Sequence, residues 1–129
     1  MERNTESREG QSFQHDMAAG AKIWLGHLVV LDAGYAKPGF ESSTAVTVGV
    51  AKDSQDNTNG VDGDEQITAK VGTWKFDSAS AADQITRADV GKLCFVLNST
   101  TVAKTDGGGT RCVAGKIRAV EGNGVWIAI

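Results

Sequence analysis

The part of the chain that most restricts the possible folds is residues 89–129. It alternates turns rich in glycine and asparagine with short runs of apolar and β-branched residues, at 91–98, 100–104, 111–120 and 125–129. Gly91 permits a sharp bend before the first run, and the turn at residues 121–124 separates the last two. Short strands joined by tight turns predict a β-meander. The chain as a whole has 16 glycines and a single proline, which suits many short strands.

An uninterrupted apolar run at residues 28–31 predicts a strand that is buried on both faces. The turn at residues 32–35 follows it, because its aspartate can bond the backbone two residues on and its glycine accepts a positive φ. Residues 26–32 also resemble residues 91–98, allowing one inserted residue. Two similar half-sheets packed together would form one sandwich or barrel, although shared turn chemistry can produce so short a match by chance.

Two further strands are predicted in the middle of the chain. Residues 44–51 place valines at alternate positions, which indicates a half-buried strand, and Gly49 marks a bulge or a close approach of two backbones. Residues 66–76 form the next strand, which carries Trp74 and Phe76 near its end. These two rings either fill the core or form an exposed apolar patch of the kind found at subunit contacts.

Together these patterns predict an all-β fold, a small β-sandwich or barrel. One short helical turn is expected where Thr86 and Asp89 can form a capping box. Residues 1–17 are charged and polar, and they predict a flexible, extended N-terminal arm. Residues 18–129 are expected to form a single β domain.

The sequence offers little for catalysis. It contains no CxxC, HExxH or GxxxxGK[ST] motif, so we expect no enzyme activity, no catalytic or metal-binding residues and no cofactor. The net charge of −3 argues against a nucleic-acid partner. No apolar run approaches the roughly 20 residues of a membrane span, and the polar N-terminus does not resemble a secretory signal, so synthesis in the cytoplasm is expected without a membrane partner.

Two questions remain open from the residues alone. The segment 53–65 is rich in acidic and amide oxygens, which invites a calcium interpretation, but alignment of an EF-hand pattern on Gly60 puts glutamines at both decisive ends. Cys94 and Cys112 are expected to be reduced, buried thiols, although antiparallel pairing of their strands could bring them close enough for a disulfide.

The order and spacing of several segments resemble the small capsid cement (head decoration) proteins of tailed phages and Mu-like prophages. The matching segments are residues 18–39, then 48–51, 56–57 and 63–64, then 85–98, 101–102, 114–115 and 124–127. Each segment alone is ordinary turn-and-strand sequence, whereas their order together is more specific. The resemblance covers nearly all of the chain beyond residue 17, and it differs at Asn98, where the family more usually has an acidic residue.

This resemblance implies a β-rich virion structural protein that sits on the outer capsid surface and clamps neighbouring major-capsid subunits. The implied partners are the major capsid protein and further copies of the chain in a homotrimer, after synthesis in the host cytoplasm. Aromatic and arginine side chains are the expected capsid or trimer contacts, namely Arg3, Arg8, Phe13, Trp24, Tyr35, Phe40, Trp74 and Phe76.

Two other functional classes are alternatives to a virion structural protein. A displayed β module that binds carbohydrate or a host surface would use exposed Trp74 or Trp126 to stack on sugar rings. A small hydrolase or metal-dependent enzyme would have to use His15, His27 and the acidic segment 53–65, and the sequence places no further partners near them.

Overall fold

The computed structural model describes residues 11–129, and it confirms the all-β fold class. We call residues 12–70 the N-terminal half and residues 73–128 the C-terminal half. The strands of the N-terminal half are β1 (Ser12–Asp16), β2 (Lys22–Ile23), β3 (Leu28–Asp32), β4 (Tyr35–Pro38), β5 (Val46–Ala51), β6 (Gln55–Asp56) and β7 (Gln66–Lys70). Those of the C-terminal half are β8 (Thr73–Ser78), β9 (Leu93–Val96), β10 (Thr101–Ala103), β11 (Val113–Glu121) and β12 (Gly124–Ala128).

The N-terminal half is built on a five-stranded antiparallel sheet in the order β1-β7-β5-β3-β4. A parallel bridge between Met17 and Ala36 joins its two edges, and the short strands β2 and β6 form a separate pair. Its core contains Met17, Ile23, Val29, Ala36 and Ile67, each with no exposed surface.

The C-terminal half is a closed five-stranded barrel in the order β10-β8-β12-β11-β9. Its strands pair antiparallel except for β8 and β10, which pair parallel and close the barrel. The interior contains Phe76, Val96, Val102, Ile117 and Ile127. A closed barrel leaves no free strand edge, which removes the usual site of unwanted strand addition.

Strand β3 lies between the two cores, as the run at residues 28–31 predicts. Leu28 and Val30 pack into the cluster that fills the barrel, whereas Val29 packs into the core of the N-terminal half. All three are fully buried, and each such side chain contributes about 1.5–3 kcal/mol of hydrophobic stabilisation. The turn after β3 is also as predicted, because Gly34 has a φ of 89°.

The two halves share one topology. In sheet order β1, β7, β5, β3 and β4 correspond to β8, β12, β11, β9 and β10, including the parallel contact that links the outermost two. Both copies of the β3–β5 pairing carry a register shift, and the residue that follows it is Gly49 in one half and Gly115 in the other. The similarity noted between residues 26–32 and 91–98 therefore marks a duplicated fold.

Backbone hydrogen bonds repeat in the same way. The N–H of Gly26 donates to the carbonyl of Ala51 at 2.9 Å, and the N–H of Gly91 donates to that of Ile117 at 2.8 Å. Both glycines have a positive φ, of 86° and 92°, which an L side chain rarely adopts. The duplication thus extends to the turn that enters each pair of strands.

The predicted N-terminal arm is wrong for the residues that the structure describes. Ser12–Asp16 forms β1, which pairs with β7 along its whole length, and Met17 is fully buried. The side chains of β1 are mostly exposed, so its sequence lacks the apolar alternation that identifies a strand. Residues 1–10, with Arg3 and Arg8, lie outside the described residues.

The predicted strand at residues 66–76 is two strands. Gly72 has a φ of 155° and separates β7 in the first sheet from β8 in the barrel. The valines of β5 also differ from the prediction, because the bulge at Gly49 turns Val48 towards the core of the N-terminal half and Val50 towards the barrel.

The predicted helical turn is present as a 3-10 helix at Arg87–Asp89. The Asp89 carboxylate accepts hydrogen bonds from the backbone N–H of Thr86 at 2.8 Å and from its hydroxyl at 3.3 Å. A second 3-10 helix, Ala81–Asp83, lies between β8 and the first.

Candidate contact surfaces

The structure places the predicted contact residues in three environments. Trp24 and Phe13 have exposed fractions of 52% and 37%. Tyr35, Phe40 and Trp74 are half-buried and pack against the two cores. The prediction of Phe76 as a contact residue is wrong for the described chain, because its ring lies inside the barrel and is only 6% exposed. A side chain in that position supports the fold and presents no surface to a partner.

Trp74 also belongs mainly to the interior. Its ring packs against the barrel core, and the Nζ atom of Lys52 lies 5.2 Å from the ring centroid. The indole Nε1 is buried without a hydrogen-bond partner among residues 11–129, which costs about 1–3 kcal/mol for a polar group of this kind. The buried part of the Trp74 ring therefore packs in the core, and only the rest of it is available to a partner.

Two of the predicted aromatic residues flank one groove, which we call the front groove. It has a volume of about 350 Å³ and lies between residues 19–22 and 37–40. Phe40 lines it directly, with the Nζ atom of Lys37 lying 5.5 Å from its ring. Lys22 lines it on the other side, and its Nζ atom lies 4.3 Å from the ring of Trp24.

Two aspartates partly balance the lysine charges of the front groove. Lys37 donates to Asp32 at 2.6 Å, and Lys22 lies 3.8 Å from Asp56. Hydrogen bonds from Thr58, and secondarily the charge of Lys22, hold the pKa of Asp56 below its usual range. The groove therefore offers aromatic area beside two positioned cations, a combination that suits a protein surface with both apolar and acidic groups.

A second groove, which we call the seam groove, was missed by sequence reasoning. It has a volume of about 580 Å³ and lies where the two halves meet. Val46, Leu93 and Val113 line it, with exposed fractions of 61%, 52% and 42%. The sequence of β9 could have indicated this groove, because its four consecutive apolar residues make both faces of the strand apolar. Only one of these faces lies against the barrel interior, so the other is left for a further contact.

An ion-pair network fixes the loops beside the seam groove. Arg111 donates from Nε to Glu41 at 3.0 Å and from Nη1 to Asp83 at 3.1 Å. A hydrogen bond from Thr105, followed by that from Arg111, lowers the pKa of Asp83. Because Arg111 is followed directly by Cys112 of the seam groove, this network holds the backbone of that wall in place.

The acidic segment 53–65 is held by its own polar groups. Asn57 is 2% exposed, and its Nδ2 donates to the carbonyls of Ala18 at 2.9 Å and Val61 at 3.0 Å. Asp62 accepts the backbone N–H of Ala19 at 2.8 Å. Within residues 11–129 no three His, Cys, Asp or Glu side chains converge as a metal site. The carboxylate of Asp62 thus attaches the loop to the turn between β1 and β2.

The two histidines and the two cysteines each have their own surroundings. His27 Nδ1 lies 2.8 Å from the hydroxyl of Ser99 and so links the two halves. Burial lowers the pKa of His15 on β1. Cys94 and Cys112 are free and buried, and burial raises the pKa of Cys94 to about 12. A thiol with so high a pKa is unreactive at neutral pH.

None of the helical segments among residues 11–129 has the length and hydropathy needed to cross a bilayer. Comparison of the chain with protein-family models, with curated proteins and with solved structures gives no match.

Proposed function

We propose that this chain is a virion structural protein that decorates the outer surface of an assembled phage capsid and stabilises it by binding between major-capsid subunits. It acts as a homotrimer, and it performs no catalysis. The proposal begins from the resemblance of residues 18–129 to capsid cement proteins. It is supported by the all-β fold and by the two contact surfaces that this fold presents.

The observation that carries the proposal is the presence of two separate surfaces that suit protein contacts. The front groove belongs to the N-terminal half and is lined by Phe40 and by Lys22, which lies against Trp24. The seam groove borders the barrel with Leu93 and Val113. A trimer that bridges neighbouring capsid subunits needs one surface for the capsid and another for its own copies. Aromatic residues at a contact supply large apolar area with few rotatable bonds, which favours tight binding.

Stabilisation of the capsid would follow from mass action. A protein that binds the assembled lattice and not the free subunits shifts the equilibrium towards the lattice, because disassembly must first release it. Many identical sites of modest affinity on one shell give a large total effect. The proposal assigns the front groove to the capsid, with Arg3 and Arg8 of residues 1–10 as additional contacts.

The test is cosedimentation with shells of the major capsid protein encoded in the same gene neighbourhood. We expect the chain to sediment with the shells and to raise their melting temperature. Trp24→Ala should weaken binding by about tenfold or more, because it removes an exposed aromatic side chain from a contact. Val61→Ala is the matched control, since Val61 is 67% exposed and lies outside both grooves. Absence of binding at tens of micromolar would overturn the proposal.

A displayed module that binds carbohydrate is the alternative, and Trp24 is the observation that favours it. The residues expected to stack on sugars support it less, because Trp74 packs against the barrel core and Trp126 is half-buried, with its Nε1 donating to Glu121 at 2.9 Å. A glycan array separates the two functions. Binding of a sugar that Trp24→Ala abolishes, without binding to shells, would favour the alternative.

A further inference from the structure

The duplicated fold buries one face in the N-terminal half and exposes the equivalent face in the C-terminal half. Leu28 and Leu93 occupy the same position at the start of β3 and β9, as the shared strand pairings show. Leu28 is fully buried, whereas Leu93 is 52% exposed. The outer face of β3 packs on the other half of the chain, whereas β9 leaves Leu93 about half exposed among the described residues.

The surface that covers the β3 face is also present twice. Thr47, beside this face on β5, donates to the carbonyl of Val113 at 2.7 Å and lies 3.9 Å from the sulfur of Cys112. Cys112 is 8% exposed. Its equivalent in the N-terminal half is Val46, which is 61% exposed.

Leu28 and Cys112 belong to one buried apolar cluster, whereas their equivalents in the other half, Leu93 and Val46, are both exposed. The exposed members, Leu93 and Val46, line the same seam groove. The groove is also continuous with the contact between the halves, because Thr47 and Cys112 line both. We propose that the seam groove is a self-association surface, in which the Leu93 and Val113 face of one copy packs against Val46 of a second copy.

The chemistry of the exposed face suits a reversible contact. Leu93 and Val113 provide the apolar area, whereas Lys116 occupies the position that Val50 fills in the buried face. A lysine at the edge of the contact keeps this face soluble in the free chain and makes it weaker than the contact inside the chain. The arrangement proposed is heterologous: each copy presents its Leu93 face to one neighbour and its Val46 to another, so the association closes into a ring or continues as a filament.

Self-association is also part of the proposed function, but the surface assigned here rests on the duplicated fold. The test is sedimentation velocity of the full chain from about 1 to 300 µM. We expect the mass of the wild type to rise with concentration. Val46→Asp and Leu93→Asp should each weaken association by about tenfold or more, because each puts a charge into an apolar contact. Val61→Asp is the matched control and should associate like the wild type, since Val61 is exposed outside the groove.

A mixing experiment tests the heterologous arrangement. Val46→Asp keeps an intact Leu93 face, and Leu93→Asp keeps an intact Val46, so an equimolar mixture should form dimers that neither variant forms alone. A wild type that stays monomeric, an equal loss in Val61→Asp, or a mixture that stays monomeric would each overturn the assignment. Thermal unfolding shows that the variants are folded, and cosedimentation with shells is measured separately, so a failure of capsid binding is distinguishable from a failure of self-association.

Discussion

Replacing Gly49 with alanine tests whether the repeated bulge determines the fold of each half. Gly49 has a φ of 146°, and a Cβ built on it would lie 2.6 Å from the carbonyl oxygen of Lys70 on β7. The obstacle is backbone within a paired strand, so relief requires β5 and β7 to separate. A side chain in this region of φ costs about 1–3 kcal/mol, and overpacking adds about 1–3 kcal/mol. We expect Gly49→Ala to lower the free energy of unfolding by about 2–6 kcal/mol.

The assay is urea-induced unfolding followed by tryptophan fluorescence and circular dichroism. Gly115→Ala should also be destabilising, by about 1–3 kcal/mol, because its Cβ would meet the carbonyl oxygen of Ala128 while its φ is unstrained. Gly122→Ala is the control, since a Cβ there meets nothing within 4 Å. If Gly49→Ala lowers the free energy of unfolding by less than about 0.5 kcal/mol, the bulge does not require glycine and the argument is refuted.

Three further predictions concern buried polar and titratable groups. The backbone N–H of Thr86 is the main cause that lowers the pKa of Asp89 in the folded chain. The ionised carboxylate therefore stabilises the fold above the ordinary pKa of an aspartate, and this stabilisation is lost as the pH falls through the lower pKa of the folded state. Asp89→Asn should cost about 1 kcal/mol at pH 7 and flatten the acid side of a plot of stability against pH. Cys94, with a pKa of about 12, should resist alkylation by iodoacetamide at pH 8 until urea unfolds the chain, and rapid labelling of the native protein would contradict its burial. Asn57→Ala should cost about 2–4 kcal/mol and speed amide hydrogen exchange in residues 17–21 and 57–64, since it removes donors to Ala18 and Val61; unchanged exchange would show that the loop is held by other bonds.

Much of the fold could be predicted because several positions carry local signals. The apolar run of β3, the glycine of the turn after it and the capping box at Thr86 and Asp89 each depend on neighbours in sequence. Strand β1 could not be found in this way, because its side chains are mostly exposed and its pairing with β7 uses the backbone. The break at Gly72 was missed because one glycine in an apolar run does not show that the flanking strands belong to different sheets.

The contact surfaces were harder to predict because exposure depends on which half a strand belongs to. The front groove is lined by Lys37, which lies over Phe40, and by Lys22, which lies over Trp24, and the two cations come from segments that are distant in sequence. For Phe76 the sequence left a core position and a contact position open, and its burial follows from its place opposite Val125 inside a closed barrel. An aromatic residue on a strand indicates a buried or binding position equally well until the sheet it joins is known.

The two halves keep the same backbone arrangement while their side chains differ, and this explains both the weak sequence repeat and the free surface. Gly26 and Gly91 enter equivalent turns, and Gly49 and Gly115 follow equivalent bulges, because these backbone positions tolerate few other residues. Most other positions need only an apolar residue of about the right size, so they diverge. Leucine is retained at the start of both β3 and β9, yet it is core in one half and surface in the other. A chain of two such halves can cover the outer face of one of them, and the equivalent face of the other half is left for a partner.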